Sequence, residues 1–309
     1  MNPGFRLKGF PTLNQYSPSM NLERNVVAFF DYACLQSSGY QNIYYNSTDY
    51  NGQPIGKLKC CPDRKYASGR VWEAYRGNWV WESGSGVNSI NVSGVYVNGV
   101  YSGSGFNVDY RHGQIIFNSA IPTNSDVRCS YSPKSIYWDT TDSLWFREFV
   151  TETYDYSAFD GAAIGSGIRS ALNNHRIQLP AVIVSITPES NLEPYQLGGG
   201  SWYNPRVEFH IFAENSDQKS LLTDIIIGQN EHSFLGMDFN LMVAANDQPM
   251  TPYGFLNSGA KNFPNLQALY PWNVKPITFT NLDGKDIPYV SNTFRALVYG
   301  NCNLVLLSI

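Results

Sequence analysis

The spacing of hydrophobic positions changes character along the chain. Leu22, Val26, Phe29, Phe30 and Ala33 recur at three- and four-residue steps, which predicts a helix. Asn21 is placed to cap it, Glu23 lies in its positive first turn, and Gly39 ends the run. Residues 1–20 are polar, carry Pro3, Pro11 and Pro18, and read as an extended arm. A short strand is predicted at Ile43–Tyr45, and residues 46–69, with Asn51-Gly52, Pro54 and Pro62, read as loop. The period then falls to two. Val71 to Trp81 alternates about Arg76-Gly77-Asn78 and predicts a hairpin, followed by a short flexible joint at Ser83–Gly86. Val95 to Tyr101 sets strand formers on both sides of Asn98-Gly99, the signature of a type I′ turn. Asp109–Phe117 predicts a second hairpin and Asp126–Tyr131 a further strand.

The second half begins less clearly. Leu144, Trp145 and Phe149 could share one helix face, and Ile164, Ile168 and Leu172 another, although Gly165 and Gly167 weaken it. Leu179–Thr187 is nearly all apolar and predicts a buried strand. Gly198-Gly199-Gly200 follows in a loop, and Arg206–Phe212 alternates as a strand. Asn215 or Ser216 can cap a helix carrying Leu221, Leu222, Ile225 and Ile226, closed by Gly228. Residues 245–276 are irregular, and Thr293–Tyr299 and Leu304–Leu307 read as closing strands. The expected fold class is α+β: a small mixed sheet packed with helices, with an inserted all-β subdomain. The arm takes residues 1–20, the core residues 21–87 and 139–309, and the β-rich insertion, read as a β-sandwich, residues 88–138.

Composition sharpens this picture. Charged residues make up 15 % of the 309, well below the roughly 25 % of ordinary soluble domains, and aromatic residues make up another 15 %. A surface short of charge and rich in Tyr and Trp resembles the core of a protein interface. Aromatic residues also favour strands, so a Tyr-rich β-protein fits the same numbers. The net charge of −4 and the scattered basic residues give no reason to expect specific contact with nucleic acid or an anionic membrane. The five cysteines, Cys34, Cys60, Cys61, Cys129 and Cys302, include no C-x-x-C pair, which argues against zinc-ribbon and redox sites. The opening MNPGFRLKGF has no apolar run, so no signal peptide is expected, and no stretch is apolar for long enough to span a membrane.

Catalytic chemistry finds little support. The four histidines, His112, His175, His210 and His232, are not accompanied by a G-x-S-x-G elbow. No H-E-x-x-H or EF-hand pattern appears, so no metal and no cofactor is expected. Gly165-Ser166-Gly167 and Gly198–Gly200 lack nucleotide-loop spacing. The chain reads as a non-enzyme.

The passage Leu197-Gly198-Gly199-Gly200-Ser201-Trp202, then Val207-Glu208-Phe209-His210-Ile211-Phe212-Ala213, then the helix with Leu221-Leu222-Thr223-Asp224-Ile225-Ile226, resembles neck and tail-terminator proteins of tailed bacteriophages. The resemblance covers residues 20–45 and 140–245 and rests on the order of element types. It implies a virion protein made in the host cytoplasm. Copies of it would form a ring, commonly a hexamer, that ends the tail tube, contacts tube proteins, with sheath proteins as a further partner, and receives the head connector, with DNA passing through and no membrane contact. Gly198, Gly199, Gly200, Trp202 and Tyr203 are the interface residues it implies. The chain departs from the simplest members in its length, its unit at 88–138 and its tract at 245–285.

Two other readings remain open. Trp72, Trp79 and Trp81, with the acidic group Glu152, Asp155 and Asp160 among Tyr154, Tyr156 and Phe159, suggest a carbohydrate-binding or glycan-processing tail-fibre or baseplate component. The plainer account of those tryptophans is a packed core. A secreted, disulfide-bonded β-protein is opposed by the odd cysteine count and the missing export signal.

Overall fold

A computed structural model describes residues 17–61, 66–81, 87–141, 178–187, 193–195, 199–239, 272–290 and 293–306. The expected helices in 142–175, the acidic group at Glu152–Asp160 and most of the amino-terminal arm lie outside the described residues.

The first helix, α1 (Pro18–Gln36), begins earlier than the sequence suggests: Ser17, not Asn21, is its cap, its Oγ accepting from the Met20 amide at 3.2 Å, and Pro18 occupies the first turn. Asn21 instead accepts from the Phe239 amide through Oδ1 at 3.2 Å, and Asn25 exchanges hydrogen bonds with both backbone groups of Met237. The helix is thus enclosed on more than its apolar stripe, which is why Asn21, Arg24, Asn25 and Asp31 are all buried.

Seven strands, β1 (Lys57–Cys60), β2 (Val71–Glu73), β3 (Val95–Val97), β4 (Val100–Ser102), β5 (Phe106–Asp109), β6 (Gln114–Phe117) and β7 (Val127–Cys129), form an antiparallel sheet in the order β4-β3-β7-β1-β2-β6-β5. Laid flat, its two edges would stand about 28 Å apart, six spacings of about 4.7 Å. Yet β4 and β5 are the edges, and Gly103–Gly105 joins them, a connection that reaches at most about 14 Å. The sheet must therefore roll up, and it does so around Leu58, Trp72, Trp79, Val95, Ile115, Val127, Cys129 and Tyr131. Asn98 and Gly99 both take positive φ, 51° and 82°, as the type I′ expectation requires. The hairpin expected around Arg76-Gly77-Asn78 does not form. β2 pairs with β1 and β6, while Trp79 bridges to Pro133.

The second sheet contains β8 (Tyr137–Thr140), β9 (Ala181–Thr187), β10 (Glu193–Pro194), β11 (Ser201–Tyr203), β12 (Arg206–Ala213), β13 (Ser233–Phe234), β14 (Ile277–Val290) and β15 (Thr293–Leu306). The order β10-β11-β15-β12-β9-β8 continues through β14 and β13 on the other side of β15, and only the β8–β9 pair is parallel. α1 and the second helix, α2 (Ser216–Ile227), pack on one face. Leu22, Val26, Phe30, Leu222 and Ile226 meet Val182, Val184, Val207, Phe209, Phe279 and Val298 there. Phe30 stacks on Trp138 at 4.8 Å and meets Phe209 edge-on at 5.3 Å. α2 is capped by Asn215, whose Oδ1 accepts from the Gln218 amide at 2.8 Å.

The α+β expectation is overturned. The protein is mostly β, two curled sheets with two described helices, rather than a small sheet packed between helices. Two places account for the difference. β1 falls in the stretch read as loop and, with β2, occupies the middle of the rolled sheet. β14 was not legible because Asn281-Leu282-Asp283-Gly284 has turn composition. The strand passes through it as a bulge, with Asn281 at φ 55° and a register shift between Thr280 and Asp283.

Candidate functional site

The glycine passage closes a turn at one end of the open sheet. The Tyr195 amide donates to the Gly200 carbonyl at 3.1 Å, and Glu193 pairs with Trp202. Gly200 has φ 85°, and a Cβ there would lie 3.2 Å from the Leu306 carbonyl oxygen, so the turn sits tightly against β15. Strand alternation then sends Trp202 and Tyr203 to opposite faces. Trp202 is 45 % exposed, while Tyr203 is buried, its hydroxyl hydrogen-bonded to Ser19 Oγ. Tyr195 meets Trp202 edge-on at 5.3 Å, and Lys275 Nζ lies 4.3 Å from the Tyr195 ring centre and donates to its hydroxyl. Among the described residues β10 pairs with β11 alone. Of the interface residues suggested by the sequence, Gly199, Gly200 and Trp202 sit together at this end, Tyr203 belongs to the core, and Gly198 lies outside the described residues. Tyr195 and Lys275, separated from Trp202 in sequence, were not legible.

A second aromatic surface lies on the rolled sheet. Register places Tyr101 opposite Tyr96, Tyr96 opposite Arg128, and Arg128 opposite Lys57, one row on the outer face of four strands. Tyr45 stacks on Tyr96 at 4.1 Å. The one legible signal was the placement of Tyr96 and Tyr101 at equal distances from Asn98-Gly99. The tryptophans that suggested a sugar platform are elsewhere: Trp72 and Trp79 are fully buried and Trp81 packs against the core beside α1.

Between the sheets lies a dry ion pair. Lys134 Nζ meets Asp31 Oδ2 at 2.6 Å, both buried, joining the segment after β7 to α1. Gln178 Nε2 donates to the Lys134 carbonyl at 2.7 Å. Arg111 approaches the fully buried Asp139 at 3.6 Å, and the Tyr137 hydroxyl donates to the same carboxylate at 2.9 Å. Burial, and then the Asp31 charge, push the Cys34 thiol up to about 11, which removes it as a nucleophile near neutrality. Burial alone takes Cys129 up to about 12.

The histidines are accounted for locally. His112 Nδ1 lies 2.7 Å from Asp109 Oδ2, closing a turn. Burial pushes the Asp109 carboxyl up, but the hydrogen bond and charge of His112 outweigh it and hold it low. His210 lies 3.9 Å from Glu208, and burial outweighs that carboxylate and keeps the imidazole below its ordinary value. His232 packs against the Phe29 ring at 5.5 Å, and His175 lies outside the described residues. Among the described residues there is no group of three or more His, Cys, Asp or Glu side chains suited to a metal ion, and no helix is long and apolar enough to cross a membrane.

Fold and surface together define a two-sheet, mostly β protein with one exposed aromatic cluster at a sheet end and another on a sheet face. In comparisons with known proteins, no family model and no curated protein matches the chain.

Proposed function

We propose that this chain is a structural subunit that works by binding protein chains, and that its place is the neck of a tailed phage. In this reading copies of it form a ring, taken as a hexamer, that ends the tail tube and receives the head connector, and the protein resides in the virion. The observation that carries the reading is the end of the open sheet. Trp202, Tyr195 and Lys275 form a solvent-facing cluster beside the two-residue strand β10, which among the described residues pairs with β11 alone. A ring needs a heterologous contact, one patch meeting a different patch on the next copy, and a sheet end suits that geometry. The strand–glycine–strand–helix order behind the phage resemblance corresponds to β9, the turn at Gly199-Gly200 between the short β10 and β11, then β12 and α2, and it supports the reading without depending on the α+β class. The low charge of the chain supports it further, since interface cores are depleted in charge.

Mass photometry and negative-stain microscopy of the purified protein, alone and with isolated tail tubes, test the proposal. Closed rings, or capped tubes, are expected, and Trp202→Ala should reduce them. A chain that stays monomeric and binds neither tubes nor connectors overturns it.

A further inference from the structure

We infer that the outer face of the rolled sheet binds a neutral carbohydrate chain, with Tyr101 as its stacking platform. This stands apart from the ring reading, which rests on the other sheet.

Three features of the row Tyr101–Tyr96–Arg128–Lys57 point to a sugar. The first is pre-organisation. The Tyr101 hydroxyl donates to the Ser93 carbonyl at 3.1 Å, and the phenol end lies so close to the Gly94 backbone that a Cβ there would sit 2.5 Å from it. Tyr96 meets the ring edge-on at 5.3 Å, and Tyr45, its own amide donating to Ser130 Oγ at 3.1 Å, stacks on Tyr96. Tyr101 is thus fixed in place while 53 % exposed. A ring already immobilised pays little ordering cost when the C–H face of a pyranose settles on it. The turn that carries it has no such need of an aromatic residue, since Asn98 and Gly99 specify it alone.

The second feature is the polar end of the row. Asp126 lies 3.2 Å from Lys57 and 2.9 Å from Arg128, and its backbone amide donates to Asn98 Oδ1 at 2.8 Å. Donors and an acceptor are therefore held side by side in the plane where sugar hydroxyls would project. The third is charge. The Asp126 carboxylate offsets one of the two cations, Lys57 and Arg128, which leaves a single net positive charge, short of the run of cations that a polyanion requires. A nucleic acid or sulfated glycan is poorly matched, and a neutral oligosaccharide, which offers hydroxyls and apolar faces, is well matched. Across four strands the row runs about 14 Å, the length of a short oligosaccharide.

Maltohexaose, cellohexaose and chitohexaose, titrated separately into the full-length protein by calorimetry, alongside a neutral-glycan array, test this. At least one neutral saccharide should bind saturably and with little salt dependence. Tyr101→Ala should weaken it about tenfold or more, as truncation of an anchoring aromatic does. Tyr101→Leu, which keeps bulk over Gly94 but removes the ring, should weaken it similarly with an unchanged melting temperature, and Tyr101→Phe should stay within about threefold. Tyr50→Ala, at a residue that is 96 % exposed and outside the row, should leave binding unchanged. The inference is overturned if no neutral saccharide binds. It is equally overturned if dextran sulfate or single-stranded DNA binds instead with a steep salt dependence, or if the Tyr101 variants lose self-association rather than sugar.

Discussion

In the rolled sheet both edge strands are brought back to within three residues of each other, whereas the open sheet ends on a two-residue strand beside an exposed tryptophan. The same composition, poor in charge and rich in Tyr and Trp, therefore has different consequences in the two regions. Rolling brings the edge strands β4 and β5 near each other without pairing them and leaves an outer face: Trp72 and Trp79 go inside, and Tyr45, Tyr96 and Tyr101 remain outside. The open sheet packs one face against α1 and α2, and among the described residues its end strand β10 pairs with β11 alone. The exposed aromatic cluster of the open sheet is at its β10 end, and that of the rolled sheet is a row of side chains across its outer face. The largest test of this division is whether the two cores stand separately. Trp72→Ala and Phe209→Ala, each removing a fully buried ring, should each cost about 3–5 kcal/mol. In urea unfolding followed by hydrogen exchange, Trp72→Ala should loosen amides of β1, β2 and β6 first, and Phe209→Ala those of β9, β12 and β15. Uniform loosening by either would make the two regions one cooperative unit.

Next in size is the join between them. Lys134→Met leaves Asp31 buried without its cation, and loss of one member of a buried pair should cost about 3 kcal/mol. The double variant Lys134→Met with Asp31→Leu should recover much of that, since an apolar pair of similar volume avoids desolvating either charge. A urea series on the two variants measures both values. If the double variant is as unstable as the single, the pair stabilises the join directly rather than merely being costly to break.

How much of this was legible depended on whether a local pattern met a competing local signal. β9, β12 and α2 were readable because uninterrupted apolar or alternating runs ended at clear caps, Asn215 and Gly228 among them. The β3–β4 turn was readable because Asn98-Gly99 is nearly sufficient by itself. β14 was masked by Asn281-Leu282-Asp283-Gly284, whose turn chemistry was overridden by pairing with β15. Arg76-Gly77-Asn78 misled in the opposite sense: its turn composition lies between Val71 and Trp81, but β2 found better partners at β1 and β6, far off in sequence. Of the candidate site, Trp202 was legible from the glycine passage. Tyr195 meets Trp202 across the short β10–β11 pair, whereas Lys275 and the Tyr45–Tyr96 stack depend on contacts between segments distant in sequence, which no local pattern reports.

A smaller effect sharpens the comparison through pH. Cys129 lies in the rolled sheet's core and Cys34 on α1 near the join. Both thiols are raised in the folded protein, from an ordinary value of 9.0 to about 12 and about 11. Below pH 9 the folded and unfolded chains both keep these protons, so the stability they contribute is complete. Above it the unfolded chain releases them first, and stability falls until the folded thiols also ionise, through about pH 11 for Cys34 and about pH 12 for Cys129. Each thiol should cost about 1–2 kcal/mol by pH 10.5, read as a falling urea midpoint. Cys129→Val should flatten the fall for the rolled sheet alone.

The smallest stability effect carries the functional contrast. Trp202→Ala and Tyr101→Ala remove half-exposed side chains that each make an edge-on aromatic contact, so each should change the unfolding free energy by only about 1 kcal/mol. Their consequences should nevertheless separate. Trp202 stands in the exposed cluster with Tyr195 and Lys275 at the β10 end of the open sheet, so its loss should reduce assembly and leave saccharide binding intact. Tyr101 projects from the outer face of the rolled sheet in the row with Tyr96 and Arg128, so its loss should reduce saccharide binding and leave assembly intact. Mass photometry and calorimetry on the same two preparations measure this crossing. If both variants move the same readout, edge and face serve one surface, and the division of labour between the two sheets does not hold.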